Sequence, residues 1–221
     1  MIRVCPSILN ADRENLPSEI ARIATQSDLL HLDVMDNIFV PNFTFTFEQS
    51  AKIISESPIP VDSHLMIADP DDRAHLFAKA GSRSVTFHYE ASSNPLETIS
   101  KIADEGARVG VALKPGTPFH EIGSIMEHID MVLIMTVEPG FGGQSFMGDM
   151  MDKVKEARRE IDERFFGKIW LQVDGGISLE TIAEAAQSGA DTFVAGSAVF
   201  KSDDPGGMVD ELRALASKSQ A

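Results

Sequence analysis

The chain has 221 residues, enough for one domain with a sizeable core, and its 19 Lys and Arg against 34 Asp and Glu give a formal net charge of −15. That acidity argues against nucleic acid or an anionic membrane surface as the main partner, so an anionic substrate would need local capture. A single cysteine, Cys5, excludes an internal disulfide framework and fits a reducing compartment, most simply the cytoplasm; buried packing is its plain role. The N-terminal run is too short for a signal peptide, and no segment approaches the roughly 20 apolar residues of a membrane span, so a soluble protein is expected.

Short β-rich runs alternate with amphipathic ones along the whole chain, and no linker or low-complexity tract divides them. Strands are expected at residues 2–7, 28–34, 60–66, 84–88, 108–113, 130–137, 169–174 and 191–195. Helices are expected at residues 14–25, 47–56, 70–80, 95–105, 118–127, 150–165, 179–188 and 205–216. Asp69-Pro70, Asn94-Pro95 and Thr117-Pro118 are start signals, and Gly81, Gly106 and Gly189 are stop signals. Strict strand–helix alternation in eight units predicts a single-domain (β/α)8 barrel over residues 1–221, with a doubly wound sheet as the alternative.

A barrel places its active site at the C-terminal ends of the strands and in the loops that follow. At 30–35 the chain reads Leu-His-Leu-Asp-Val-Met, so His31, Asp33 and Met35 share one face and Leu30, Leu32 and Val34 the other. The third strand carries Asp62, His64 and Met66 on one face, and the seventh ends at Asp174. Any one of these could be a buried hydrogen-bonding or capping residue. Convergence of His31, Asp33, His64 and Asp174 at one level instead makes a divalent metal site, suited to zinc and open to iron(II), manganese or cobalt. His75 and His120 fall on expected helices and His128 just past the end of one; His88, at the end of the fourth strand, has the right level for a supporting role rather than for ligation.

The loops after strands seven and eight, with Gly175 and Gly176 and with Gly196 and Ser197, sit where barrels often bind phosphate, although each alone reads equally as a tight turn. The loop after strand six, Glu-Pro-Gly-Phe-Gly-Gly-Gln at 138–144, has the glycine content of a segment that contacts ligand and closes over it. Met35, Met66 and Met135 lie near the same mouth, either as core or as a soft wall that excludes water.

These residues resemble the ribulose-phosphate 3-epimerase family over nearly the whole chain. The motifs are Cys-Pro-Ser-Ile-Leu-Asn-Ala-Asp at 5–12, His-Leu-Asp-Val-Met-Asp at 31–36, Phe-Val-Pro-Asn at 39–42, His-Leu-Met-Ile at 64–67, Pro-Gly-Thr-Pro at 115–118, Met-Thr-Val-Glu-Pro-Gly-Phe-Gly-Gly-Gln at 135–144 and Val-Asp-Gly-Gly-Ile at 173–177. The resemblance implies a pentose phosphate pathway isomerase that interconverts D-ribulose 5-phosphate and D-xylulose 5-phosphate at C3, with one divalent metal ion bound. It makes Asp33 and Asp174 the acid–base pair and His31 and His64 the remaining ligands. Ser7 and His64 then contact the pentulose phosphate, while Gly140, Phe141, Gly142, Gly143, Gly175, Gly176, Gly196 and Ser197 hold its phosphate end. A homo-oligomer is also implied. Asn37 stands where the family usually has glycine; if that position needs a positive φ, asparagine is the next most tolerant residue and a small strain follows rather than a lost fold, and the segment Phe-Thr-Phe-Thr-Phe at 43–47 departs from the common pattern. An epimerase of a ketohexose phosphate such as D-allulose 6-phosphate would share the catalytic set, and a silent phosphate-binding barrel is the third reading. A decarboxylase or aldolase barrel would carry Asp-x-Lys-x-x-Asp, whereas Asp33-Val34-Met35-Asp36 has no lysine.

Overall fold

Each β-rich run forms a strand. The computed structural model describes residues 1–220. Its strands are β1 (Arg3–Pro6), β2 (Leu30–Met35), β3 (Val61–Met66), β4 (Ser84–His88), β5 (Arg108–Leu113), β6 (Met131–Met135), β7 (Trp170–Asp174) and β8 (Thr192–Ala195). All pairings are parallel, in the order β1-β8-β7-β6-β5-β4-β3-β2, and a parallel bridge between Ser7 and His31 joins the two ends. The result is a (β/α)8 barrel, as the alternation of elements predicts.

The helices are α1 (Leu16–Ala21), α2 (Phe47–Glu56), α3 (Pro70–Lys79), α4 (Pro95–Asp104), α5 (Met151–Phe165), α6 (Ile182–Gln187), α7 (Ser197–Phe200) and α8 (Pro205–Ser219). Prolines at the first turns of α1, α3, α4 and α8 set φ where no intrahelical N–H bond is needed. α2 starts at Phe47 because Thr46 and Gln49 form a reciprocal capping box; residues 43–46 before it are extended loop.

Two expected helices change. The 118–127 helix is replaced by the 3-10 segments Phe119–Ile122 and Met126–His128. Phe119 and Ile122 are buried in the first segment and Met126 in the second. Helix α1 is shorter than 14–25 because its continuation tightens into three-residue turns, with Ile23 N–H on the Ile20 carbonyl at 3.2 Å and Gln26 N–H on the Ile23 carbonyl at 3.3 Å. The short helix α7 is an addition, opened by Gly196 after β8.

Register sorts the strand residues by face. The outward set, including Leu30, Leu32, Leu65, Val85, Phe87 and Phe193, is buried under the helices. Inside, Arg3 and Arg108 each stack on Trp170, 3.8 Å from the ring centroid, and close the lower end. Above them the paired positions His31 and Asp62, Asp33 and His64, and Met35 and Met66 climb to the mouth. Gly110 is required at the waist: a Cβ there would lie 2.1 Å from the Thr86 Oγ1 across the β4–β5 pair.

Candidate active site and metal centre

His31 is fully buried in β2 and Asp33, two residues on, is nearly so. Their partner strand delivers His64 opposite Asp33, and β7 delivers Asp174 from the far side of the barrel. His64 Nδ1 lies 3.1 Å from Asp33 Oδ1, 3.3 Å from His31 Nε2 and 3.5 Å from Asp174 Oδ2. His31 Nε2 is 3.4 Å from Asp33 Oδ1 and 3.7 Å from Asp174 Oδ2. One donor atom from each of the four falls within 4.8 Å of all the others.

The groups behind these donors determine what faces the centre. Asp62, fully buried, accepts from His31 Nδ1 at 2.9 Å, from the Ser84 hydroxyl at 2.6 Å and from the Gln172 amide at 3.0 Å. Burial would push the Asp62 carboxyl up, but these hydrogen bonds, His31 first, hold it below the usual carboxylate value. An ionised carboxylate only accepts, so the His31 proton sits on Nδ1 and the Nε2 lone pair faces inward. His64 turns Nε2 away, to His88 Nε2 at 3.0 Å, and its Nδ1 faces inward as well.

The His31 lone pair, the inward nitrogen of His64 and two carboxylates therefore converge, an arrangement that a cation or added protons must neutralise. Burial alone would lower the His31 imidazole, yet Asp33 and then Asp62 raise it well above its ordinary value. His64 is also raised, by Asp174 and Asp33 against burial. Asp33 moves the other way: burial would raise it, and His31 and His64 hold it far below the usual range. The donor set, two nitrogens and two oxygens, fits a divalent metal ion.

Ser7 donates its hydroxyl to the second Asp33 oxygen at 2.5 Å. The Thr44 hydroxyl donates to the Asp33 carbonyl at 2.7 Å and receives Met35 N–H at 2.9 Å, so the loop after β2 fixes the strand end beneath the site. One cleft above the donors is lined by Ser7, Asp33, Met35, Met66, Met135, Gly140, Phe141, Gly142, Gly143, Asp174, Gly175, Gly176, Gly196 and Ser197. The predicted residues thus come together, with His31 and His64 just beneath. The three methionines are buried; Met35 and Met66 pack with Val40, and Met135 with Ala112, Leu133 and Val137.

Gly175 and Gly176 have φ of +124° and +68°, and an added Cβ would lie 2.5 Å from Val137 Cγ2 and 2.5 Å from Phe146 N respectively. Packing against the loop after β6 therefore demands glycine at both positions, whatever else their N–H groups do. In that loop the Gln144 amide donates to the Glu138 carbonyl at 2.7 Å and the Phe141 carbonyl at 2.8 Å, while the Asn42 amide reaches the Gly140 carbonyl at 2.8 Å. Asn37 has φ +60°, and its N–H bonds the Asn42 carbonyl at 2.9 Å.

Sequence reasoning did not single out Asp62, Gln172, Glu90 or Asn10. Asp62 was legible as the inward residue two before His64; Gln172 and Glu90 needed the register, and Asn10, which lines the cleft, needed the loop path.

The fold and its polar mouth define a (β/α)8-barrel enzyme with a metal-capable site. The barrel is shared with solved structures of low sequence identity: KGPDC from Streptococcus mutans, TM-score 0.74 at 13% identity with 100% of this chain and 99% of that one covered, and 3-hexulose-6-phosphate synthase from Salmonella typhimurium, TM-score 0.69 at 17% identity with 99% and 100% covered. These likenesses concern architecture alone.

Sequence carries the identification further. The family model described as "Ribulose-phosphate 3 epimerase family" matches residues 3–200. The ribulose-phosphate 3-epimerase of Mycobacterium leprae is 45% identical over 213 residues, covering 96% of this chain and 94% of that protein. That of Escherichia coli K12 is 42% identical over 218 residues, covering 97% and 96%. This chain belongs to the ribulose-phosphate 3-epimerase family, a family of isomerases.

Proposed function

We propose that this chain interconverts D-ribulose 5-phosphate and D-xylulose 5-phosphate, with Asp33 and Asp174 moving the C3 proton between faces. The observation that carries the reading is the approach of these two carboxylates from β2 and β7, three strands apart around the barrel, to one buried centre with His31 and His64. Inversion needs a base on one face and an acid on the other, with roles exchanged in the reverse direction. Asp33 is held ionised by its imidazole neighbours, and Ser7 donates to the oxygen that does not face His64.

His31, Asp33, His64 and Asp174 are the residues that hold the ion, with zinc favoured over iron(II), manganese or cobalt. When bound, the ion supplies Lewis acidity for the charge that develops on the substrate oxygens as the C3 proton leaves. Ser7 and His64 border the reacting carbons. The backbones of Gly140, Phe141, Gly142, Gly143, Gly175, Gly176, Gly196 and Ser197 receive the phosphate end, where close backbone approach replaces a lysine or arginine. Met35, Met66 and Met135 wall the reacting end from water without competing as ligands. The whole chain, 1–221, acts as one catalytic domain, assembled as a homo-oligomer in the cytoplasm, in keeping with its one cysteine; among the described residues no helix is long and apolar enough to cross a membrane.

The test follows exchange of the C3 hydrogen with solvent deuterium and turnover of ribulose 5-phosphate, with allulose 6-phosphate as competitor. Asp33→Asn and Asp174→Asn should each abolish turnover, while the carboxylate that remains still exchanges the hydrogen of the one epimer presented to its face. Turnover retained in either variant, or full exchange from both epimers, overturns the two-carboxylate mechanism, and a clear preference for allulose 6-phosphate overturns the substrate.

A further inference from the structure

The two inward-facing imidazoles are held from behind in different ways. His31 meets its carboxylate, Asp62, directly. His64 meets none: behind its Nε2, at 3.0 Å, is the Nε2 of His88, whose other nitrogen, Nδ1, lies 3.2 Å from Glu90 Oε2. Glu90 is itself anchored, its other oxygen accepting Lys114 N–H at 2.7 Å and the Thr117 hydroxyl. His88 is fully buried, stacked on His64 with centroids 5.1 Å apart and covered by the Phe39 ring at 4.9 Å.

We propose that His88 and Glu90 are positioning residues that fix the tautomer of His64, and so keep a lone pair on its Nδ1 for the metal ion. This rests on the metal-centre reading above. The chain of donors runs one way only. The Lys114 N–H is an obligatory donor, so Glu90 faces it with an acceptor and has a second acceptor left for His88. His88 Nδ1 must then carry the proton, which leaves His88 Nε2 as an acceptor. His64 Nε2 must carry its own proton to satisfy it, and Nδ1 is left bare toward Asp33 and Asp174.

Glu90→Gln reverses this order without changing shape. The Gln oxygen stays on Lys114 N–H, and its NH2 turns a donor toward His88 Nδ1. The His88 proton moves to Nε2 and meets His64 Nε2, which must now accept; the His64 proton is driven to Nδ1, into the metal site. Groups that hold a ligating imidazole from behind typically govern metal affinity by about 10- to 100-fold.

The experiment measures Zn2+ affinity of the full chain by chelator competition and records the Co2+ ligand-field spectrum of parent, Glu90→Gln, His88→Phe and His88→Gln. The Phe variant keeps an aromatic ring but no acceptor; the Gln variant returns an amide oxygen near the lost Nε2. Expected are a loss of about 10- to 100-fold for Glu90→Gln and His88→Phe, with an altered Co2+ spectrum, and recovery in His88→Gln. In the His88→Gln background, Glu90→Gln should cost little, because the imidazole that relays it is gone. Parent affinity and an unchanged spectrum in both Glu90→Gln and His88→Phe would overturn the proposal, as would a Glu90→Gln effect that persists in full beside His88→Gln. A parent chain that binds neither Zn2+ nor Co2+ would overturn the metal-centre reading, and this inference with it.

Discussion

Metal binding should displace protons, and the dependence on pH follows from the site. In the metal-free chain His31 and His64 both have raised pKa values, since each faces carboxylates. A group raised on folding adds stability that is complete below its unfolded value, about 6.5 for histidine, and is lost as pH rises through the folded value. The metal-free chain should therefore weaken as pH climbs from about 6.5. Ligation requires both imidazoles unprotonated, so each proton displaced makes apparent affinity rise about tenfold per pH unit, equivalent to about 1.36 kcal/mol. Two protons give up to about 10⁴ between pH 6 and 8, with the slope flattening once His64, the less raised of the two, is neutral. At a metal concentration of 100 Kd the ion adds about 2.7 kcal/mol, or roughly 5–11 °C in Tm for a chain of this size. Thermal unfolding with Zn2+ and with chelator, repeated across this range, reads the increment, and chelator competition reads the slope. An increment that stays flat or shrinks with rising pH at fixed free Zn2+ would refute the reasoning.

Other substitutions probe single elements. Asp62→Asn leaves one of three buried donors, from His31, Ser84 and Gln172, facing an NH2 group; it should cost about 1–3 kcal/mol in urea unfolding of the metal-free chain and weaken Zn2+ binding about 10- to 100-fold. Gly176→Ala forces a Cβ to 2.5 Å from Phe146 N at φ +68°, so a loss of about 1–3 kcal/mol is expected, together with a raised KM as the loop after β6 is displaced. Asn37→Gly should move stability by no more than about 0.5 kcal/mol, whereas Asn37→Val, unable to hold φ +60° at low cost, should lose about 1–2 kcal/mol with little change in kcat.

Strand positions and the four converging donors were legible because β-structure has period two and a barrel has one functional end. His31 and Asp33 had to share a face with Met35, and register alone then placed them beside Asp62, His64 and Met66. Helix limits were less legible where turns tighten. The apolar residues of 118–127 suit either helix type, so their spacing does not choose the 3-10 form that the chain adopts. The groups behind the ligands were hidden for another reason. Gln172 reaches Asp62 over a separation of 110 residues, and Glu90 finds Lys114 and Thr117 only once β4 and β5 are paired. A polar residue in a strand signals that it needs partners; which partners is a matter of closure.

Closure and chemistry also meet at the seam between β1 and β2. The two strands share no regular ladder. At the lower end Val4 N–H donates to the Asp28 carboxylate at 2.9 Å, and the Val4 carbonyl accepts Asp28 N–H at 3.2 Å. At the upper end the seam is held by the Ser7–His31 bridge and by the Ser7 hydroxyl on Asp33. The residues that close the barrel there are the same ones that place His31 and orient Asp33, the proposed metal donor and acid–base carboxylate. A strand end tied by a regular ladder would hold its neighbours whatever their side chains; here a single backbone bridge and the hydroxyl of Ser7 share that task. That ties the orientation of Asp33 to the integrity of the barrel, so the site is as rigid as the seam that carries it.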